Sequence, residues 1–128
     1  MEQTFFIPGP LPSMNEIILA SSTVLKGGIR FGSKYSVMKK KWQEIISDIA
    51  IVEKIKPVEN TYTCMFDWIE KTRRKDPDNI AVGVKFIFDA LVEAKIFKGD
   101  NWKYNKGWGN SFNVGEHPGV NVTITSYK

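Results

Sequence analysis

Hydrophobic residues in this chain change their period twice. At Tyr62, Cys64, Phe66 and Trp68 they take alternate positions among β-formers; at Ile80, Val84, Ile87, Phe88 and Leu91 they recur at i, i+4, i+7, i+8 and i+11; at Val120, Val122 and Ile124 they alternate again. Alternation suits a strand with one buried face and the longer period a helix with one apolar stripe, so neither an all-helical nor an all-strand fold accommodates all three. A chain of 128 residues is the size of one domain with one hydrophobic core.

Other elements are expected around that switch. Residues 4–8, TFFIP, read as a first strand, stopped by the proline and glycine cluster at 8–12, with a loop to follow. Residues 21–33, SSTVLKGGIRFGS, carry three glycines among polar and basic residues and read as a loop or loose hairpin. Met38, Trp42, Ile45, Ile46, Ile49 and Ala50 predict an amphipathic helix over residues 34–53, which Pro57 cannot continue. A strand over 61–69 follows, then a second helix to residue 94, with Asp76 or Asp78 as its cap and Pro77 in its first turn. Residues 101–108 and 119–127 read as the last two strands. The expected fold is α+β: one domain over residues 1–128, βαβαββ order, two helices packed on a mixed sheet.

Several function classes are excluded at this level. No apolar run is long enough to cross a bilayer, and the opening MEQTFFIPGPLPS lacks the basic-then-apolar order of a secretory signal, so a cytoplasmic protein without a membrane partner is expected. One cysteine and one histidine cannot build a Cys/His zinc site; Cys64 reads as a small core residue and His117 as a loop histidine. Any metal must therefore be held by oxygen, and no small-molecule cofactor is expected. The net charge of +4 is a mild basic bias, concentrated at Lys39 to Lys41, at Arg73 to Lys75, and at Lys95, Lys98, Lys103 and Lys106. Each cluster is either a solvated face or a phosphate contact.

The densest chemistry lies in EKTRRKDPDN, residues 70–79. Asp-Pro-Asp-Asn is good turn and cap material, and anions are favoured near a helix start. A cap needs one carboxylate, however, and here Asp76 and Asp78 are joined by Asn79, while Asp100 follows the second helix in FKGDNWK. Three carboxylates without a competing soft ligand suit Mg²⁺, with Mn²⁺ as a substitute, and such an ion serves phosphodiester hydrolysis. Arg73, Arg74, Lys75, Lys103 and Lys106 are the cations placed to hold neighbouring phosphates.

The succession of a basic run, DPDN, a helix ending in KFIFDAL and then GDNW resembles the RusA-type Holliday-junction resolvases, small endonucleases of phages and prophages. The opening IPGPLPSMNE and the closing VNVTITSY are similar to that family's ends, so the likeness spans nearly the whole chain. It implies a homodimer in a bacterial or phage-infected cell that binds four-way DNA junctions and makes paired, divalent-metal-dependent nicks in DNA recombination and repair. It also implies Asp76, Asp78 and Asp100 as the essential carboxylates and Lys85 as the essential lysine. The chain departs from the family in carrying about three more residues between Asn79 and that lysine. On a continuous helix of about 100° per residue Lys85 still faces the same way as Asp78, one turn further on, with Lys75 as an alternative nearer the metal. Asp89 then reads as the partner of Lys85. The alternative function is junction binding by the same fold without turnover. Phe86, Phe88 and Phe97 are read as a dimer face or as core, and Trp102, Tyr104 and Trp108 as base-stacking groups or as sheet packing.

Overall fold

The computed structural model describes residues 1–22 and 33–127. In chain order its elements are β1 (Glu2–Pro8), α1 (Met14–Ser22), α2 (Ser33–Val52), β2 (Tyr62–Glu70), α3 (Pro77–Ala81), α4 (Val84–Glu93), β3 (Asn105–Val114) and β4 (Gly119–Ser126). The strands form one mixed sheet in the order β1-β4-β2-β3, with β4 antiparallel to both neighbours and β3 parallel to β2. The α+β class and the mixed sheet are as expected. The helix count differs: α1 stands where a loop was expected, and the second expected helix is divided into α3 and α4.

Register explains the core. Phe5, Val122 and Phe66 lie side by side across three strands, as do Ile7, Val120 and Trp68. These alternate positions share one face of the sheet, which is buried against Ile46 and Ala50 of α2 and Phe86, Ile87, Ala90 and Leu91 of α4. Phe86, Phe88 and Phe97 belong to this core, at 1%, 5% and 2% exposure, so they offer no dimer face. Tyr62 stacks on Phe97 at 3.7 Å and donates its hydroxyl to the Gly99 carbonyl at 2.9 Å, pinning the loop that carries Asp100 to the start of β2.

Three local departures have physical causes. The loop expected after the prolines is α1, started by a capping box: Ser13 Oγ accepts the Glu16 N–H at 3.4 Å, and Glu16 Oε1 accepts from the Ser13 N–H at 3.2 Å and its hydroxyl at 3.0 Å. Ser21 and Ser22 end that helix and Ser33 begins α2; the remainder of the expected 21–33 loop lies outside the described residues. The second helix is broken at Val82 and Gly83, where Gly83, Lys85 and Phe86 donate to carbonyls three residues back. Gly83 allows this: a Cβ there would sit 2.9 Å from the Trp68 ring. The strand expected over 101–108 begins instead at Asn105, because the Asn101 carbonyl accepts the N–H groups of Tyr104 and Asn105 and closes a turn.

A parallel β2–β3 pair needs a crossover, which α3 and α4 provide. The crossover leaves from the Glu70–Val114 end of the pair and returns at the Tyr62–Asn105 end. Residues just before α3 and residues just before β3 are thereby assigned to opposite ends of these strands.

Candidate functional site

Asp76 occupies the N-cap position of α3 with extended backbone (φ −73°, ψ 153°), Pro77 follows in the first turn, and no side chain makes a capping hydrogen bond. Asp76 is thus the cap residue that the sequence led one to expect, although it caps by position and not through a side-chain hydrogen bond. The Asp76 carbonyl accepts the N–H groups of Asn79 and Ile80, so the turn is held by backbone and both carboxylates are exposed. Among the described residues neither carboxylate accepts a hydrogen bond or joins an ion pair.

Asp76 and Asp78 line one hollow with Met14, Asn15 and Asn79. The Asn15 N–H donates to Asn79 Oδ1 at 3.3 Å, which ties the start of α1 to α3 and makes α1 a wall of the site. The S-x-x-E signature at residues 13–16 could have located this wall in the sequence. On its other side Asp76 borders a hollow of about 300 Å³ lined by Arg73, Lys75, Phe112 and Val114. Lys75 reaches Glu16 at 3.8 Å, and Arg73 and Arg74 are exposed. Asp76 thus stands between a basic rim and the asparagine-lined hollow that it shares with Asp78.

Asp100 does not join them. It lines an open hollow with Trp102, Asn105, Lys106, Gly107 and Trp108, at the start of β3, whereas the Asp76 hollow takes in Phe112 to Val114 at its end. Among the described residues no three His, Cys, Asp or Glu side chains gather as a metal site. The donor chemistry at Asp76 and Asp78 nevertheless fits a hard cation. The oxygen donors there are amides and carboxylates, the one thioether being Met14, Cys64 is buried in the core, and magnesium is commonly held by one or two carboxylates, with water and substrate phosphate completing its shell.

Lys85 projects from the first turn of α4, and its ammonium lies 3.1 Å from Asp89, one turn on. Asp89 also meets Lys39 of α2 at 3.4 Å. The hydrogen bond to Asp89, opposed by partial burial and aided by the charges of Asp89 and Asp100, raises the pKa of Lys85. Lys85 is thus a firm cation within electrostatic reach of Asp100. The helical-wheel alignment of Lys85 with Asp78 does not apply, since it assumes a continuous helix through Val82 and Gly83.

Of the remaining candidates, Trp102 is 92% exposed and is no part of the sheet packing. Trp108 is half-exposed, set edge-on to Phe66 and Phe88 at 6.0 Å each, and Tyr104 packs partly against the core with the Lys103 ammonium 5.4 Å from its ring. His117 lies in the turn between β3 and β4. Among the described residues no helix is long and apolar enough to cross a membrane. Comparison with protein-family models and with curated proteins gives no match.

Proposed function

We propose that the protein is a divalent-metal-dependent endonuclease of the RusA type, acting as a homodimer on four-way DNA junctions. The observation that carries this is the exposed, unpaired state of Asp76 and Asp78 on one hollow, with Asp76 also bordering the neighbouring hollow that Arg73 and Lys75 line. Two unpaired carboxylates one residue apart repel each other and contribute little to folding, which is the expected condition of ligands kept for a cation. A divalent cation bound there supplies charge neutralisation at the phosphodiester and lowers the pKa of water. Asp76 and Asp78 would hold it, and a carboxylate oxygen not engaged by the cation would orient water and accept its proton. Arg73 and Lys75 hold the flanking phosphates, and Arg74 extends the same positive rim; these contacts position the backbone without reading sequence. Lys85, kept protonated by Asp89, acts as a donor to phosphate and not as a base. Asp100 is the third carboxylate that the resemblance implies, and its part in hydrolysis is a separate question from that of the pair.

The test is nicking of a synthetic four-way junction with Mg²⁺ or Mn²⁺. Asp76→Asn and Asp78→Asn should lose nicking while still binding the junction, and unchanged cutting by either variant removes the mechanism. Asp100→Asn with full activity restricts the cation site to the pair. The second reading, a junction-binding protein without turnover, is favoured by the position of Asp100 at the other end of β3. Salt-sensitive junction binding with no nick under any divalent ion selects it.

A further inference from the structure

Trp102 is the most exposed large apolar side chain among the described residues, and the turn that carries it is firmly built. The Asn101 carbonyl accepts the N–H groups of Tyr104 at 3.0 Å and Asn105 at 2.9 Å, and the Asn101 side-chain oxygen accepts the Lys103 N–H at 3.0 Å. Lys106 donates its ammonium to the Trp102 carbonyl at 2.9 Å. Next to this turn β3 carries one extra residue between the Tyr62–Asn105 and Cys64–Trp108 pairs, a bulge. Gly107 takes the positive φ of 149° that this needs, with its N–H held by Asn105 Oδ1 at 3.0 Å. The bulge sets Trp108, Lys106 and Asp100 around an open hollow of about 480 Å³ whose rim is the Trp102 indole.

An indole held in water on a hydrogen-bonded turn has already lost the chain entropy that ordering on a ligand would cost, so contact with a flat ring adds nearly its full stacking energy. Lys106, whose ammonium is bound to the Trp102 carbonyl and which lines the hollow, and Lys103, next to Trp102 in the turn, are cations that match the phosphates accompanying such a ring in a nucleic acid. Asp100 on the wall of the hollow is an acceptor for an exocyclic amine. Resting on the DNA-directed function above, we infer that this hollow receives an unpaired nucleobase at the branch point of DNA, stacked on Trp102. A second copy of the chain would cover the indole equally well, but the charged rim favours a polyanion.

The experiment uses the whole protein in EDTA, so hydrolysis plays no part in it. A four-way junction carrying 2-aminopurine at the crossover is titrated by anisotropy and by 2-aminopurine fluorescence, beside a linear duplex. Wild-type protein should bind the junction and change the 2-aminopurine signal. Trp102→Ala should lose that signal and bind about 5- to 150-fold more weakly, with an unchanged salt slope, because no phosphate contact is lost. Trp102→Phe should keep most of both. Equal binding and equal signal for Trp102→Ala overturn the inference, as does a wild-type protein that leaves 2-aminopurine unperturbed. A change of sedimentation coefficient from dimer to monomer in Trp102→Ala also overturns it, since the indole then belongs to a protein interface. Wild-type protein that gives the signal yet never nicks with Mg²⁺ refutes the hydrolytic function and leaves the stacking site standing.

Discussion

Among the described residues four acidic side chains have a hydrogen-bond or ion-pair partner. Asp89 bridges Lys85 and Lys39, Asp67 accepts from the Ser111 hydroxyl, Glu16 closes a capping box and Glu59 meets Lys98 at 3.2 Å. Asp76 and Asp78 have no such partner and share one hollow, and a cation held there predicts a linkage effect. Mg²⁺ or Mn²⁺ at about 100 times its dissociation constant should stabilise the wild type by about 2.7 kcal/mol and raise its Tm, with no rise in Asp76→Asn. Differential scanning fluorimetry measures this, and an equal rise in the variant contradicts it. A second prediction concerns Cys64, whose pKa is pushed up to about 12 by burial. Its thiol stays protonated and sheltered at pH 8, so native-state labelling should run at the rate of opening of the fold. Above the ordinary thiol pKa of about 8.5 the unfolded chain ionises while the folded one does not. Stability should therefore fall as pH rises from about 8.5 towards 10, below the range where Tyr62 and Lys85 add their own losses, and should fall less over that range for Cys64→Ala; urea titrations at several pH values test this. The residue identities alone foretold the core position of Cys64 and the Lys85–Asp89 pair, since alternation and i,i+4 spacing are local. They left Trp102 open, because its exposure depends on where β3 begins.

At the scale of elements, β2, α2 and β4 were legible because their periodicity is long and uninterrupted. α1 was hidden by the prolines before it, although Ser13 and Glu16 mark its start, and its loss from the expected fold concealed one wall of the Asp76 hollow. Ser13→Ala should cost about 1 kcal/mol in chemical denaturation, and a change near zero would deny the capping box a structural role. The break between α3 and α4 was not legible, because a glycine inside an apolar helical pattern signals only a lower propensity. The break shows only in the bonds to carbonyls three residues back, and the Trp68 ring lying where a Cβ would go is what requires glycine at residue 83. Propensity alone would have Gly83→Ala stabilise the protein by about 1 kcal/mol. Overpacking against Trp68 reverses the sign, so Gly83→Ala should destabilise by about 1–2 kcal/mol. Stabilisation on that substitution would show that the ring yields.

For the whole molecule, the α+β class followed from the two changes of period, but the meeting of three carboxylates did not follow from their spacing. Parallel pairing of β2 with β3 sends the crossover from one end of the strands to the other, and so separates the residues before α3 from those before β3. Nothing in a linear pattern reveals which strands pair in parallel. The consequence is two differently built hollows at the two ends of β3: one at its end lined by Asp76, Arg73 and Lys75, and an aromatic one at its start lined by Asp100, Lys106, Trp102 and Trp108. A branched DNA that engages both should bind with a steep salt dependence, and removal of Arg73 or Lys106 should each lower the slope by about one phosphate contact. The most direct test of the central claim is strand mapping of a four-way junction incubated with the wild-type protein and Mg²⁺. Paired nicks on opposing strands, absent in EDTA and absent from a linear duplex of the same sequence, are the predicted result; intact strands with every divalent ion, despite junction binding, would contradict it.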